Sequence, residues 1–262
     1  MELTFIPALS LSGLIVGLLV GLTGVGGGSL MTPILVLLFG FKPATAVGTD
    51  LLYAAITKGG GSWVHHRHGH IDWRIAGRMA LGSVPAAALS LFIIARLGID
   101  NHGTARLMTA ALGFALVLTA GSLLFRQRLL AFAQRHVGQS LNAGQTASFT
   151  ILVGAIVGTL VAWTSVGAGA LGVTALLFLY PKLPTRVIVG SDIAHAVPLT
   201  LVAGIGHWYL GSVEVPLLFN LLIGSLPGIA IGSYFAARVP ERGLRSLLAA
   251  VLILVGGKLI FA

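Results

Sequence analysis

The sequence predicts an all-α polytopic membrane protein made of two inverted repeats, and three observations support this. First, the 262-residue chain is 56% hydrophobic and only 9% charged, whereas soluble domains carry about 25% charged residues. Second, its apolar residues fall into long stretches. Third, its two halves repeat the same pattern. Because lipid cannot hydrogen-bond exposed backbone groups, we expect the membrane elements to be helices. This composition excludes a soluble enzyme, a disordered chain and a fibrous repeat.

The apolar stretches give the elements in chain order. They run over 6–22, 29–39, 44–63, 75–95, 107–124, 148–163, 168–180, 187–207, 216–237 and 244–261. A transmembrane helix needs about 20 residues, and 44–63, 75–95, 107–124, 187–207, 216–237 and 244–261 are long enough. The pairs 6–22/29–39 and 148–163/168–180 are short and interrupted by glycine, so each pair predicts a helical hairpin. The first residues lack a basic region and a cleavage site before the apolar run, which predicts that they are not removed.

An internal repeat divides the chain. Residues 23–30 match 164–171 at an offset of 141 positions, and 48–50 match 190–192 at an offset of 142. At that second offset, 82–85 (GSVP) also match 224–227 (GSLP). We therefore expect a first membrane repeat over 1–124, a basic linker over 125–147 and a second repeat over 148–262. Each repeat would hold one hairpin and three transmembrane helices.

Loop charges decide how the repeats are arranged. If each hairpin returns to its own side, the 16 Lys and Arg divide 12 to 4 between the two sides of the membrane. If each pair is a single span, they divide 8 to 8. Because cytoplasmic loops collect Lys and Arg, the hairpins are favoured. Loops 64–74, 125–147 and 238–243 are then cytoplasmic and both termini lie outside. Whether each hairpin spans fully or re-enters to mid-depth stays open. The net charge of +9 is thereby assigned to cytoplasmic loops and not to nucleic-acid binding.

Short, glycine-interrupted segments at matching positions of two halves are typical of a transporter binding site. Helices that begin near the interruptions direct unpaired N–H groups and a positive dipole end towards the same point. Glycine also lets the backbone approach a ligand closely. The pattern predicts a small anion bound by Thr23, Gly24, Gly26, Gly27, Gly28, Ser29, Thr164, Ser165, Gly167 and Gly169. The alternative is that these glycines only permit close helix packing.

Four of the ionisable residues within the predicted helices are candidates for coupling or anion binding. A charge at mid-membrane costs about 2.5–3.5 kcal/mol, so Asp50 and Asp192 are candidate proton- or sodium-coupling groups. Equally, each could accept hydrogen bonds that hold a kinked helix. His195 follows Asp192 by three positions and could pair with it or relay protons, or fill a helix interface. Lys58 could attract anions or pair with Asp50, or extend to the lipid headgroups.

Several motifs together resemble a known family. They are 21–33 (GLTGVGGGSLMTP), 43–50 (PATAVGTD), 67–73 (RHGHIDW) and 82–85 (GSVP). In this order they resemble the TauE/SafE family, the sulfite exporter and 4-toluene sulfonate uptake permease group (TSUP). The resemblance covers essentially the whole chain. It implies a permease of the bacterial inner membrane for sulfur-containing anions such as sulfite, sulfoacetate or organosulfonates.

The same resemblance carries over to particular residues. The run Gly24 to Ser29 would be the glycine-rich signature of the family, and Asp50 the acidic residue of the following helix. The second half departs from this pattern, since Ala168 and Ala170 stand where the first half has Gly27 and Ser29. Whether the second half contacts the ligand as much as the first is therefore an open question.

We therefore expect a secondary-active permease for sulfite or an organosulfonate, with no catalytic residues, cofactor or bound metal. Its partners would be that anion and the lipid bilayer, not nucleic acid, and a homo-oligomer stays open. One alternative is a cation or metal transporter using Asp50, Asp192 and the histidines of 65–70. A second is an intramembrane enzyme in which the two aspartates share a proton. For 65–70 itself, a solvated basic loop is favoured over a zinc or nickel site.

Overall fold

The computed structural model describes residues 5–23, 28–99, 101–136, 142–235 and 241–261. Every regular element in these ranges is an α-helix. The helices are α1 (Pro7–Thr23), α2 (Gly28–Leu37), α3 (Pro43–Arg67), α4 (Trp73–Leu97), α5 (His102–His136), α6 (Ala143–Thr164), α7 (Ala170–Leu179), α8 (Thr185–Tyr209), α9 (Val215–Phe235) and α10 (Glu241–Ile260). Each predicted apolar stretch coincides with one of them, so the all-helical prediction is confirmed for the described chain.

Local sequence signals explain where several helices begin. Asn142 accepts a hydrogen bond from the backbone N–H of Gln145, whose side chain accepts one from the Asn142 N–H. This reciprocal pair satisfies two N–H groups that α6 leaves unpaired. Asp72 caps α4 by accepting from the N–H groups of Arg74 and Ile75. Helix α3 instead begins with Pro43, a residue that needs no hydrogen-bond acceptor in the first turn.

Five described helices are long and apolar enough to cross a membrane, namely α4, α5 over His102–Leu129, α6, α8 and α9. The chain is therefore a multi-pass membrane protein by length and composition. Helices α5 and α6 exceed their predicted apolar stretches by the most. Helix α6 has 22 residues because a polar first turn joins it. Helix α5 has 35 residues, so most of the predicted linker 125–147 is the end of this helix.

Helices from the two halves pack against each other in matching pairs. Helix α1 packs on α9 and α6 packs on α4, while α3 packs on α8 and α5 packs on α10. Glycine permits the first two contacts. A Cβ atom on Gly17 would meet the Ser225 backbone, and one on Gly158 would meet the Ser83 backbone. Close backbone approach at small residues is the usual way in which membrane helices associate. Glycine therefore permits close packing at Gly17 and Gly158, which are not among the glycines of the predicted anion site.

The directions of these pairs are visible in their contacts. The Asp72 N–H, after α3, donates to Ser191 Oγ near the start of α8 at 2.8 Å. The Glu214 N–H, after α8, donates to Thr49 Oγ1 near the start of α3 at 3.1 Å. Each bond joins the end of one helix to the start of the other, so α3 and α8 run antiparallel. The two bonds also correspond to each other at the 142-position offset.

The two helix breaks meet in one apolar cluster. This cluster contains Leu30 and Met31 from α2 together with Val166 from the segment between α6 and α7. Tyr53 of α3 is 1% exposed and belongs to the same cluster. Described residues that follow or form the two interruptions therefore belong to the same apolar cluster as the middle of α3.

Candidate functional site

The second helix break is fully described and has an irregular backbone. Helix α6 ends at Thr164 and α7 begins at Ala170. Between them Ser165 has φ of 60°, Gly167 has φ of 127° and Gly169 has φ of 131°. Residues with a side chain rarely adopt the last two values, so glycine is required there. The turn leaves the N-terminus of α7 facing the interior of the helix bundle.

Two hydroxyl groups of this break differ in their hydrogen bonding. The Thr164 hydroxyl donates to the Leu160 carbonyl at 2.6 Å and accepts from the Val166 N–H at 3.1 Å. It therefore stabilises the break itself. Ser165 Oγ is buried and has no hydrogen-bond partner among the described residues. Of these two hydroxyls, Ser165 is the one that the described residues leave without a hydrogen bond.

The first break is described only at its edges. Helix α1 ends at Thr23 and α2 begins at Gly28, whereas the predicted ligands Gly24, Gly26 and Gly27 lie outside the described residues. Ser29, in the first turn of α2, is only 5% exposed. Both helices therefore begin where the sequence places them, near Ser29 and Ala170.

Asp50 of α3 is held by a residue that the sequence did not single out. Its carboxylate is fully buried, and Thr32 of α2 donates a hydrogen bond to Oδ2 at 2.6 Å. Ser165, on the second break, lies near the same carboxylate, although Asp50 Oδ1 has no hydrogen bond from the described residues. Thr32 stands in the motif at 21–33, which was the available signal for its role.

Asp192 of α8 has the matching position in the second half but a different environment. Both its oxygens are buried and lack hydrogen-bond partners in the described part of the chain. His195 Nδ1 lies 3.8 Å from Asp192 Oδ1. The carboxylate also packs on Gly172 of α7, where a Cβ atom would collide with Oδ1. Gly172 is therefore a second site residue that the sequence pattern did not indicate.

The residue three positions after each aspartate faces a serine from the other half. His195 Nε2 hydrogen-bonds Ser83 Oγ of α4 at 3.0 Å. Tyr53 occupies the matching position after Asp50, and Ser225 of α9 lies near its hydroxyl. The serines also match each other at the 142-position offset. The two halves therefore place matching residues together, but only His195 and Ser83 form a hydrogen bond, since the Tyr53 and Ser225 hydroxyls have no partner among the described residues.

Lys58 of α3 reaches into the second break. Its Nζ donates a hydrogen bond to the Ala168 carbonyl at 2.8 Å, so the side chain does not extend to the lipid headgroups. Asp50 and Asp192 both act electrostatically on its ammonium group. Neither makes a direct ion pair with it in the described part of the chain. Lys58 thus lies beside both carboxylates and on the irregular backbone at the same time.

A cavity of about 520 Å³ brings these elements together. Its polar wall includes Lys58, Asp192, Gly169 and His65, while α1 contributes Gly21. The rest of the lining is mainly apolar, with residues from α8 and α9. Asp50 is not part of this wall. The cavity is therefore bordered by the lysine, by one of the two aspartates and by the N-terminal end of α7.

The histidines of 65–70 do not form a metal cluster. Among the described residues, no three His, Cys, Asp or Glu side chains converge on one point. The rings of His65 and His70 are 5.9 Å apart, and those of His68 and His70 are 5.8 Å apart. Arg67 lies over the Trp63 ring at 4.0 Å. This segment is a cationic and aromatic helix end beside the cavity.

Comparison with known proteins identifies clear relatives. The family model described as "Sulfite exporter TauE/SafE" matches residues 9–259. "Probable membrane transporter protein YjnA" from Bacillus subtilis is 40% identical over 250 residues, which cover 95% of this chain and 98% of the relative. "Probable membrane transporter protein YdhB" from the same organism is 29% identical over 94% of this chain and 97% of its own length. An archaeal relative, "Probable membrane transporter protein MJ0441" from Methanocaldococcus jannaschii, is 24% identical over 97% and 95%. No solved structure matches the chain.

Proposed function

The chain belongs to the sulfite exporter TauE/SafE family, and we propose that it is a secondary-active permease for small sulfur-containing anions, sulfite or an organosulfonate. The family and the named relatives are membrane transporters, so the chain is a transporter and not an enzyme. The protein would lie in a bacterial inner membrane with both termini on the periplasmic side. Its substrate would be the sulfur anion itself.

The position of Lys58 carries this proposal. Its ammonium group lies on the wall of the cavity and is bonded to the Ala168 carbonyl. Gly169 and the first turn of α7 are beside it. An anion in this cavity would meet a cation and a helix N-terminus together, and both favour negative charge. A metal cation would meet the same lysine, so the cation-transporter alternative is disfavoured here.

We further propose that the halves are inverted repeats whose breaks meet near the membrane midplane. The antiparallel α3–α8 pair supports this, because matching helices run in opposite directions when the repeats are inverted. In a parallel repeat they would run in the same direction. The proximity of Leu30 and Met31 to Val166 supports a shared site.

In this arrangement both breaks contribute ligands. Gly24, Gly26, Gly27 and Ser29 would act from the first half, and Ser165, Gly167 and Gly169 from the second. Coupling to a proton or sodium gradient would take place among the buried aspartates Asp50 and Asp192.

Flux measurements on purified protein in sealed liposomes test the function. The panel is sulfite, thiosulfate, sulfoacetate, sulfate and a divalent metal cation, each measured with and without a pH gradient. We expect exchange of at least one sulfur anion without ATP. Metal flux without anion flux, or no flux of any sulfur anion in vesicles shown to be sealed, would contradict the proposal.

The variant Lys58→Met tests whether the Lys58 ammonium group binds the anion. It removes a charge-assisted contact, so anion affinity should fall by about tenfold or more. Lys58→Arg keeps the charge and should retain part of the transport. Lys182→Met makes the same chemical change at an exposed lysine and serves as the matched control. Equal transport by the Lys58→Met and Lys182→Met variants would remove Lys58 from the site.

A further inference from the structure

We propose that Asp192, and not Asp50, is the carboxyl group that takes up a proton when the anion binds, so that anion and proton cross the membrane in the same direction. This inference rests on the proposed anion transport. It assigns different tasks to two residues that the repeat makes equivalent. Asp192 would be the coupling group, and Asp50 would hold α3 against α2.

Hydrogen bonding is the first difference between the two carboxylates. A buried ionised carboxylate is costly unless donors satisfy it. Asp50 has such a donor in Thr32, at 2.6 Å. Asp192 has none among the described residues, for either oxygen. Its compensation is the through-space charge of Lys58. Asp192 therefore depends on a cation that the anion also uses.

Position is the second difference. Asp192 and Lys58 lie in the wall of the same cavity, whereas Asp50 is not among the residues that line it. An anion that enters the cavity and binds Lys58 adds negative charge next to Asp192. Because like charges repel strongly where water is scarce, the ionised carboxylate and the anion oppose each other. Protonation of Asp192 removes this repulsion.

Charge balance gives the coupling. With both aspartates ionised, Lys58 leaves the group of three with one net negative charge. A singly charged anion would raise this to two and a doubly charged one, such as sulfate, to three, and one proton on Asp192 lowers either sum by one. Anion and proton therefore favour each other's binding, and the effect is reciprocal by linkage. The proton comes from water in the cavity and leaves to water on the other side after the anion has gone.

Other titratable groups lie near Asp192 on the packed helices, and their protonation must be distinguished from that of Asp192. On its own helix His195 lies at 3.8 Å. From α3 come Lys58, on whose ammonium group both aspartates act electrostatically, and His65 in the cavity wall. Tyr53 of the same helix lies near Asp50 instead. Helix α4 presents Ser83, which bonds His195, and α7 presents Gly172. His195 is therefore the main competitor as the proton acceptor.

The experiment separates exchange from gradient-driven accumulation. Thiosulfate, sulfoacetate and sulfate are the probes, because their charges do not change near neutral pH. Exchange of labelled for unlabelled anion needs no net proton movement and reports on transport itself. Accumulation driven by a pH gradient, with a pH-sensitive dye to follow protons, reports on coupling. For the wild type we expect both, with apparent affinity rising by up to about tenfold for each unit of falling pH.

The two aspartate variants are matched controls for each other. Asp192→Asn should retain exchange that no longer depends on pH and should lose accumulation and dye signal. Asp50→Asn should keep the pH dependence, because the new amide oxygen still accepts from Thr32 and Asp192 is unchanged. His195→Gln should also keep the pH dependence.

Four results would overturn this inference. They are wild-type exchange without proton-driven accumulation, loss of coupling in Asp50→Asn only, loss in His195→Gln only, or pH-dependent exchange by Asp192→Asn. The wild-type dye measurement decides the coupling even if a variant fails to fold. Absence of any wild-type exchange would instead contradict the proposed function itself.

Discussion

Asp50 and Asp192 stand 142 positions apart, in helices α3 and α8 that pack against each other, and yet their carboxylates have different neighbours. Thr32 donates to Asp50 at 2.6 Å, whereas Asp192 packs against Gly172 and has His195 at 3.8 Å. The following turn differs in the same way, with Tyr53 in one half and His195 in the other. Matching positions therefore do not have matching chemistry.

The scaffold around them has changed much less. Gly82 of α4 packs on α6, and Gly224 of α9 packs on α1. These two glycines match each other at the 142-position offset. The hydrogen bonds from Asp72 to Ser191 and from Glu214 to Thr49 also correspond to each other at this offset. Backbone contacts therefore match between the two halves, while the ionisable side chains differ. A matched frame thus surrounds two aspartates that have unmatched neighbours.

The largest expected effect concerns the frame, and it should be equal in the two halves. In Gly224→Ala the new Cβ would meet the Ser10 backbone, and in Gly82→Ala it would meet the Ile151 backbone. Because neither backbone can move without separating the helices, we expect most of the folded protein to be lost in both variants. The measurement is the yield of monodisperse protein in mild detergent.

Gly77→Ala is the control for this prediction. Gly77 lies in α4, and no atom lies within 4 Å of the position that its new Cβ would occupy, so normal yield is expected. If Gly82→Ala and Gly224→Ala behaved like Gly77→Ala, close packing would not hold the frame. If only one of them lost its fold, the two halves would not be equivalent in the way their contacts indicate.

A smaller effect concerns the Asp50 site. Thr32→Val keeps the shape of the side chain but removes the hydrogen bond to the buried Asp50 carboxylate. Leaving a buried acceptor unpaired costs about 1–3 kcal/mol, so the thermal unfolding midpoint followed by tryptophan fluorescence should fall. The pH dependence of exchange should not change, because the proposed coupling group is Asp192.

Thr200→Val supplies the matched control for Thr32→Val. Thr200 is also buried, at 1% exposure, but it donates to Ala196 of its own helix at 2.8 Å. Loss of the Thr200 hydrogen bond should therefore lower the thermal unfolding midpoint less than loss of the Thr32 hydrogen bond. Equal midpoints for the two variants would show that the Thr32–Asp50 bond contributes little. A changed pH dependence of exchange in Thr32→Val would indicate that Asp50 takes part in proton coupling.

The smallest expected effect concerns the breaks. Ser165→Gly gives the second break the residue that the first has at Gly24. Glycine adopts the φ of 60° at this position without the cost of about 1 kcal/mol that a side chain brings. Stability should thus stay nearly constant. If the buried Ser165 hydroxyl contacts the anion, KM should rise by about two- to tenfold with kcat unchanged.

Ser165→Ala is the matched control for that change. It removes the same hydroxyl but keeps a Cβ atom, so it should raise KM equally while leaving the backbone cost in place. An unchanged KM in both Ser165 variants would exclude this hydroxyl from the anion site.

Much of the frame followed from the sequence because its causes are local. Apolar stretches bounded by polar residues predicted all ten helices of the described chain. Glycine runs at matching positions predicted the two breaks, and the motif at 21–33 together with the repeat indicated the family. The end of α5 was less predictable, because the helix continues through the basic residues of 125–147 where apolar patterning stops.

The site was only partly predictable, because its contacts join residues far apart in the chain. The sequence by itself selected Asp50, Lys58, Asp192 and His195 as costly to bury and therefore worth explaining. It did not reveal that Lys58 bonds Ala168, since 110 positions separate them. It also did not reveal that Thr32 satisfies Asp50 while Asp192 packs on Gly172. Burial cost is a property of one residue, but the partner that compensates it is fixed only when α2, α3, α7 and α8 pack together.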